Sequence, residues 1–459
     1  MHTSARSRSL SSAVLHSRLP AAIASAFVCA LLLSPVRLSA QPSADGAAVD
    51  TLVTRVGPSL DALYQDLHRQ PELSGQERAT AARMAAELSR LGFAVTTGVG
   101  GHGVVGVLKH GDGPTVMVRT ELDALPIQEA TGLPYASRSA GVMHACGHDV
   151  HMAGWVGAAM VLAQLRDRWR GTLLWVAQPA EENVQGARAM IADGLFRRFP
   201  KPDFALAVHD RADLPAGKFS WVAGFTMANV DSADVTLFGK GSHGARPEMG
   251  IDPIVMAAHT VLALQALVSR EKDPLEPAVL SVGSIHAGTK HNIIPDQAKL
   301  QLTVRSFSPA VRARLLAGIV RVVKAEAQLF GAPREPVVQF SEAQNATWND
   351  PALTRRVVTR LTALLGPAAV EEGRPDMVAE DFGEFAKAAA IPSVLLRTGA
   401  GDPALWAQAG GPTPAVSPLH NAAFAPTYAP AIRTGVRVLV GAVLTLLPAS
   451  DVGRSVGQP

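Results

Sequence analysis

The sequence predicts an α/β protein: a catalytic domain with a mainly parallel sheet flanked by helices, interrupted by a ferredoxin-like (split βαβ) domain. Three patterns predict it. Short apolar runs bounded by Gly or Pro alternate with helical periodicity up to about residue 225. Over residues 226–341 the order becomes strand, helix, strand, strand, helix, strand. From residue 342 the first pattern resumes, so the middle stretch reads as an insertion.

The elements follow in order. Leu52, Val56, Leu60, Leu63 and Leu67 recur at helical spacing, and a second helix is expected over 77–91, ended by Gly92. Strands are expected at 104–109 and 115–119, a small-residue helix at 152–165, and a buried strand at 172–177 between Gly171 and Pro179. A helix at 187–193 and a buried strand at 204–208 complete the first part. In the insertion, strands are expected at 232–238, 278–286, 297–307 and 337–340, with helices at 252–270 and 309–330. Helices at 351–365 and 380–389 and a strand at 393–398 close the pattern. The Ala/Pro/Gly-rich residues 399–418 read as a long loop, and loops of that length are often functional.

The first 40 residues read as an export signal. Arg6, Arg8 and Arg18 precede an apolar run at 21–33, and Leu38-Ser39-Ala40 offers a small-residue cleavage site. The run is short for a membrane span, so a retained anchor is the weaker alternative. The mature protein is then exported, periplasmic or secreted. Cleavage removes Arg6, Arg8, Arg18 and Arg37 from the 42 basic residues and none of the 39 acidic ones, which cancels the excess positive charge. No basic tract points to nucleic acid. The two cysteines are Cys29 and Cys146, so cleavage leaves Cys146 alone in an oxidising compartment. Metal ligation gives such a thiol a reason to persist.

Four signals carry chemistry. Cys146 and His148 bracket Gly147 at the start of a helix, a turn that lets a thiolate and an imidazole face one cation. Alone, the triplet fits a buried cysteine beside a capping histidine equally well. His151, one turn on, reads as a supporting group rather than a ligand, as do His144 and Asp149. Glu181 and Glu182 follow a buried strand, where α/β proteins place ligand-binding loops. His209 ends another buried strand, and His420 follows the long loop. Each alone is weak; four such signals in one domain are not.

A set of motifs then occurs in order: LHRQPELSGQE (67–77), RTELDALP (119–126), GVMHACGHDVH (141–151), QPAEE (178–182) with Gly186-Ala187, GSHGARP (241–247), HNIIPD (291–296), EDF (380–382) and LHN (419–421). Together they resemble the co-catalytic metallopeptidase family of aminoacylases, hippurate hydrolases, auxin-conjugate hydrolases and related carboxypeptidases. The resemblance implies that Cys146, His148, Glu182, His209 and His420 hold two divalent metal ions. Zn or Mn is the expected metal, with Co or Ni as alternatives. It implies that Glu181 is the general base, that His243 is catalytic, and that Asn292 and Arg305 contact substrate. It also implies a lid that mediates a homodimer, and an N-acyl amino acid or small peptide as substrate. The corresponding division is a catalytic part over 41–225, a lid over 226–341 and a second catalytic part over 342–459. Departures from the hippurate-hydrolase pattern occur at Glu248, Glu121 and residues 210–214, around the substrate rather than among the ligands. A dipeptidase or carboxypeptidase is the rival enzyme. A non-catalytic metal-loaded binder is the rival of another class, and it has no need of Glu181 beside Glu182. No G-x-S-x-G elbow supports a serine hydrolase.

Overall fold

The computed structural model describes residues 44–409 and 417–449. The expected export signal, with Cys29, lies outside the described residues. The central sheet has eight strands in the order Ala94–Val99, Gly103–His110, Gly171–Gln178, Thr115–Glu121, Phe204–Pro215, Ser393–Gly401, Phe219–Trp221, Val370–Glu372. Its four middle strands are mutually parallel. Antiparallel pairs occur toward both edges.

The apolar runs read from the sequence are the middle strands. Gly171–Gln178 is buried at every position, which is what a strand covered on both faces requires. Successive side chains alternate between two cores. Leu173, Trp175 and Ala177 join one core, with the helices Ala44–Arg69, His148–Gln164 and Tyr428–Leu446. Leu174 and Val176 join the other, with Gly186–Ala192 and Phe382–Ala389.

The helix His148–Gln164 is tied to the sheet by Trp155 Nε1, which donates to Val118 O at 3.1 Å. It packs closely because Gly157 has no side chain: a Cβ there would lie 2.6 Å from both Leu60 and Val436. The helix Tyr428–Leu446 is absent from the sequence reading. Most of its residues are buried, and its polar side is marked only by Arg433 and Arg437, which pair with Asp61 and Asp50 of the first helix.

The second sheet holds Ala278–Ala287, Gln297–Ser306, Asn229–Phe238 and Val337–Gln344 in that order, all antiparallel. In chain order its strands stand 2-3-1-4, the split βαβ arrangement. The helices Pro253–Arg270 and Pro309–Leu329 share its separate core. Asp252 and Ser308 cap them, each followed by proline. The chain joins the two sheets through Gly224–Met227 and Thr347–Asn349, which pair with each other.

Three boundaries that bear on the site differ from expectation, the first being the strand expected at 204–208, which runs on to Pro215 and so contains His209. The last central strand runs to Gly401 and a helix, Pro403–Ala409, follows, so the first half of the expected 399–418 loop is ordered. The helix expected from Glu380 starts at Phe382. Glu380 and Asp381 are held instead by Arg119, which removes them from the helix.

Gly157→Leu is expected to lower stability by about 1–3 kcal/mol, the usual effect of overpacking a filled core. Denaturant unfolding measures it; an unchanged midpoint would show that these helices can separate freely.

Candidate metal centre

Residue 147 must be glycine. Its φ is +77°, and a Cβ would lie 2.2 Å from Asp210 Oδ2. This tight turn starts the His148–Gln164 helix and brings Cys146 and His148 to one end of the parallel strands. His148 Nδ1 lies 2.8 Å from Asp123 O, so it donates there and turns Nε2 outward. His209 Nδ1 donates likewise to Asp210 O at 2.8 Å. Both imidazoles are thus oriented by a hydrogen bond at one nitrogen, as metal-binding histidines are.

The other donors converge on them. His209 Nε2 lies 3.7 Å from Cys146 Sγ, and His420 Nε2 lies 3.3 Å from the same sulfur. His420 Nε2 is 3.4 Å from Glu182 Oε2. His148 Nε2 is 3.8 Å from Glu182 Oε1 and 3.9 Å from Glu181 Oε2. His420 has φ +61°, a conformation that non-glycine residues adopt at a cost, and such positions concentrate at functional sites. Ala180, beside the two glutamates, has φ +52°. Glu77 braces that turn by accepting from Ala180 N at 2.8 Å, which gives the LSGQE segment a structural role.

The electrostatics calls for positive charge. Burial, and next the charge of Glu182, raise the Cys146 thiol pKa well above its usual value. Burial, then Glu380 and Glu182, raise Glu181 in the same way. Burial also raises Glu182, with His148 and His420 opposing. His209 is pushed well below its ordinary value by burial and by His151, so it is a neutral donor. Among the described residues, His148 Nε2 and Glu182 Oε1 are buried and make no hydrogen bond. A cysteine sulfur, imidazoles and carboxylates around unpaired buried atoms fit divalent cations.

Around these donors lies a second set of buried charges. Arg119 Nη2 donates to Glu380 Oε1 at 2.8 Å and Asp381 Oδ1 at 2.9 Å. Arg119 Nη1 bonds Glu121, and its Nε donates to Gln178 Oε1 at 2.8 Å. Burial raises the Glu121 pKa, but Arg119 and His151 outweigh it and hold this carboxyl well below its ordinary range. His151 sits 3.1 Å from both Glu121 and Asp210, so it has partners of its own. Burial opposes its charge, yet the two carboxylates raise its pKa to about 9.

A cleft of about 560 Å³ opens over the centre, lined by Cys146, Glu181, Glu182, His209 and His420 together with Arg305. His243 and Asn292 are not among its lining residues. They lie on the small ribbon Ser242–His243 and Ile293–Ile294, where Gly244 N donates to Asn292 O at 2.8 Å. His243 is exposed. The sequence reading gave no role to Asp123, which orients His148, or to Arg119. Both lie in the quoted RTELDALP motif; for Arg119 the available signal was a charge inside an apolar strand, whereas Asp123 accepts through its backbone carbonyl, which no residue type marks.

The parallel sheet, the split βαβ insertion and the paired glutamates within a thiolate–imidazole cluster define a metal-dependent hydrolase. Residues 117–443 match the model of peptidase family M20/M25/M40. The chain belongs to this family and is a metal-dependent amidohydrolase. It is 37% identical over 327 residues to hippurate hydrolase of Campylobacter jejuni, covering 71% of this chain and 84% of that one. Thermostable carboxypeptidase 2 of Saccharolobus solfataricus is 37% identical over 328 residues, covering 70% and 81%. Among solved structures, Bacillus subtilis YxeP, described as a dinuclear metal-binding peptidase of the M20 family, matches with TM-score 0.71 and 30% identity. That match covers 86% of this chain and 99% of YxeP.

Arg119→Met is expected to destabilise the protein by about 3–5 kcal/mol, because it leaves buried carboxylates without their cation. Thermal or denaturant unfolding tests this, and a loss under about 1 kcal/mol would show the carboxylates to be paired elsewhere.

Proposed function

We propose that this enzyme hydrolyses the amide bond of N-acyl amino acids to release the free amino acid. The observation that carries the reading is the position of Glu181. It stands 3.9 Å from His148 Nε2, beside the donor cluster and within the cleft, while Glu182 faces the donors directly. One carboxylate is thereby left for proton transfer. The names of hippurate hydrolase and carboxypeptidase among the relatives support an amide beside a free carboxylate.

Cys146, His148, Glu182, His209 and His420 would hold two divalent cations, with Zn favoured by the thiolate and imidazoles and Mn, Co or Ni as alternatives. When bound, such ions polarise a carbonyl and bring the pKa of water down from ~15.7 toward ~7. Glu181 takes the proton of the attacking water and returns it to the leaving nitrogen. Its burial keeps bulk water from competing for that proton. His151 holds no substrate; clamped by Glu121 and Asp210, it fixes the start of the helix that carries His148.

The enzyme acts as a homodimer through the lid domain. The helix Pro253–Arg270 exposes Leu262 at 72%, and Ala278–Ala287 is an edge strand of its sheet, a ready surface for a second copy. His243 lines no part of its own chain's cleft, so its catalytic role is to reach the partner's site and stabilise the oxyanion. Residues 1–40 serve as an export signal, so the mature chain is recovered outside the cytoplasm.

Glu181→Gln is expected to lower kcat by at least about 10²–10⁴-fold with metal content near normal, whereas Cys146→Ser loses metal and activity together. Metal analysis alongside hydrolysis of N-acyl amino acids decides it; a metal-replete Glu181→Gln enzyme with wild-type turnover would sink the base assignment.

Mixing Glu181→Gln and His243→Ala proteins is expected to restore partial activity, because one site of each mixed dimer has both residues. Demonstrated subunit exchange without recovery rules out a role across the dimer.

A further inference from the structure

The cleft that holds the metal-type donors is also lined by Arg211, Arg305 and Arg397. Arg397 stands in register with His209 on the adjacent parallel strand. Paired residues on neighbouring strands, about 4.8 Å apart, leave the sheet on the same face. Arg397 is therefore within reach of anything bound at His209.

Its surroundings do not match its charge. Arg397 is 3% exposed. Nη1 donates to Arg374 O at 3.2 Å, and Nη2 donates to Thr226 O and, at 3.1 Å, to Thr226 Oγ1. These are neutral acceptors. Among the described residues, Nε makes no hydrogen bond. Among the described residues its one ion pair is with Asp376, at 4.0 Å, and Asp213 acts on it from farther off. Asp376 is shared with Arg211, at 3.5 Å, and Arg211 has its own partner in Asp213 at 2.6 Å. Arg305 donates to Met377 O at 3.1 Å. A staple between Thr226 and the 374–377 loop needs two neutral donors. It does not need a buried guanidinium with a spare N–H, since a buried charge is costly unless paired. An incoming carboxylate would supply the missing partner, in the planar geometry that guanidinium suits.

We infer that Arg397 forms a carboxylate-recognition point in this cleft, additional to the substrate contact expected of Arg305. The preferred substrates are then N-acyl amino acids that carry a carboxylate beyond the one beside the scissile amide. Two sources share this chemistry: an acylated acidic amino acid, or an amino acid acylated by a dicarboxylic acid. The inference rests on the hydrolase reading above and names its substrate class.

Calorimetry on the metal-loaded Glu181→Gln protein tests it without consuming the ligand. N-acetyl-L-glutamate is compared with N-acetyl-L-glutamine, and N-succinyl-L-alanine with N-butyryl-L-alanine. In at least one pair the acid is expected to bind at least about tenfold tighter, the usual scale for a hydrogen bond to a charged group. The pair that shows it tells which side of the amide carries the carboxylate. Adding Arg397→Met is expected to erase the preference at equal metal content. If that variant does not fold, Arg397→Lys, which keeps the charge but not the Nε donor, is expected to lose most of it. Equal or undetectable binding of acid and neutral ligands in the parent protein overturns the inference, as does a preference that survives Arg397→Met. Because binding is read, failure of the wild-type enzyme to cleave any N-acyl amino acid would sink the hydrolase reading separately.

Discussion

Arg119 gathers the carboxylates of Glu121, Glu380 and Asp381 around one buried guanidinium. These residues come from distant parts of the chain, and each carboxylate relies on Arg119 to offset its burial. Gln178, at the end of the strand that leads to Glu181 and Glu182, is bonded to both Arg119 and Asp381. The loop that offers the two glutamates therefore starts from an anchored point. Glu121 in turn grips His151, one turn from His148. The ion network behind the centre thus sets the position of residues on both sides of it.

The centre is the reverse case. Its thiol, glutamates and histidines are brought together with too little positive charge among them, and burial raises the pKa of Cys146 and both glutamates. The surrounding contacts hold Ala180 and His420 in costly backbone conformations. The charges behind fix positions, and the donors in front are left for cations. The separate core of the inserted domain allows the lid to be built without disturbing either part. Its contribution to the cleft is made by a few side chains, Arg305 among them.

Much of this was readable in the sequence. The middle strands appear as apolar runs because both of their faces are covered, and the two lid helices carry explicit Asp252-Pro253 and Ser308-Pro309 starts. Among the candidate donors Glu181 and Glu182 do follow a strand end, whereas His209 lies inside Phe204–Pro215, a strand longer than the expected 204–208. Other elements left weaker signals. The short strand Phe219–Trp221 has three residues, too few for a period. Tyr428–Leu446 has a narrow polar stripe, Arg433 and Arg437, amid a long apolar run. The reading of residues 399–418 as one loop missed the helix Pro403–Ala409.

The α/β class, the split βαβ insertion and the candidate donors are legible along the chain. The first two follow from local period and turn residues, the donors from side-chain chemistry and ordered motifs. Which donors meet, which nitrogen of His148 is left free, and that Arg397 stands beside His209 without a full partner emerge only in the folded molecule. These are matters of register and burial between segments far apart in sequence. A guanidinium in a strand reads the same whether it faces solvent, a carboxylate or a cleft, until the neighbouring strand is in place.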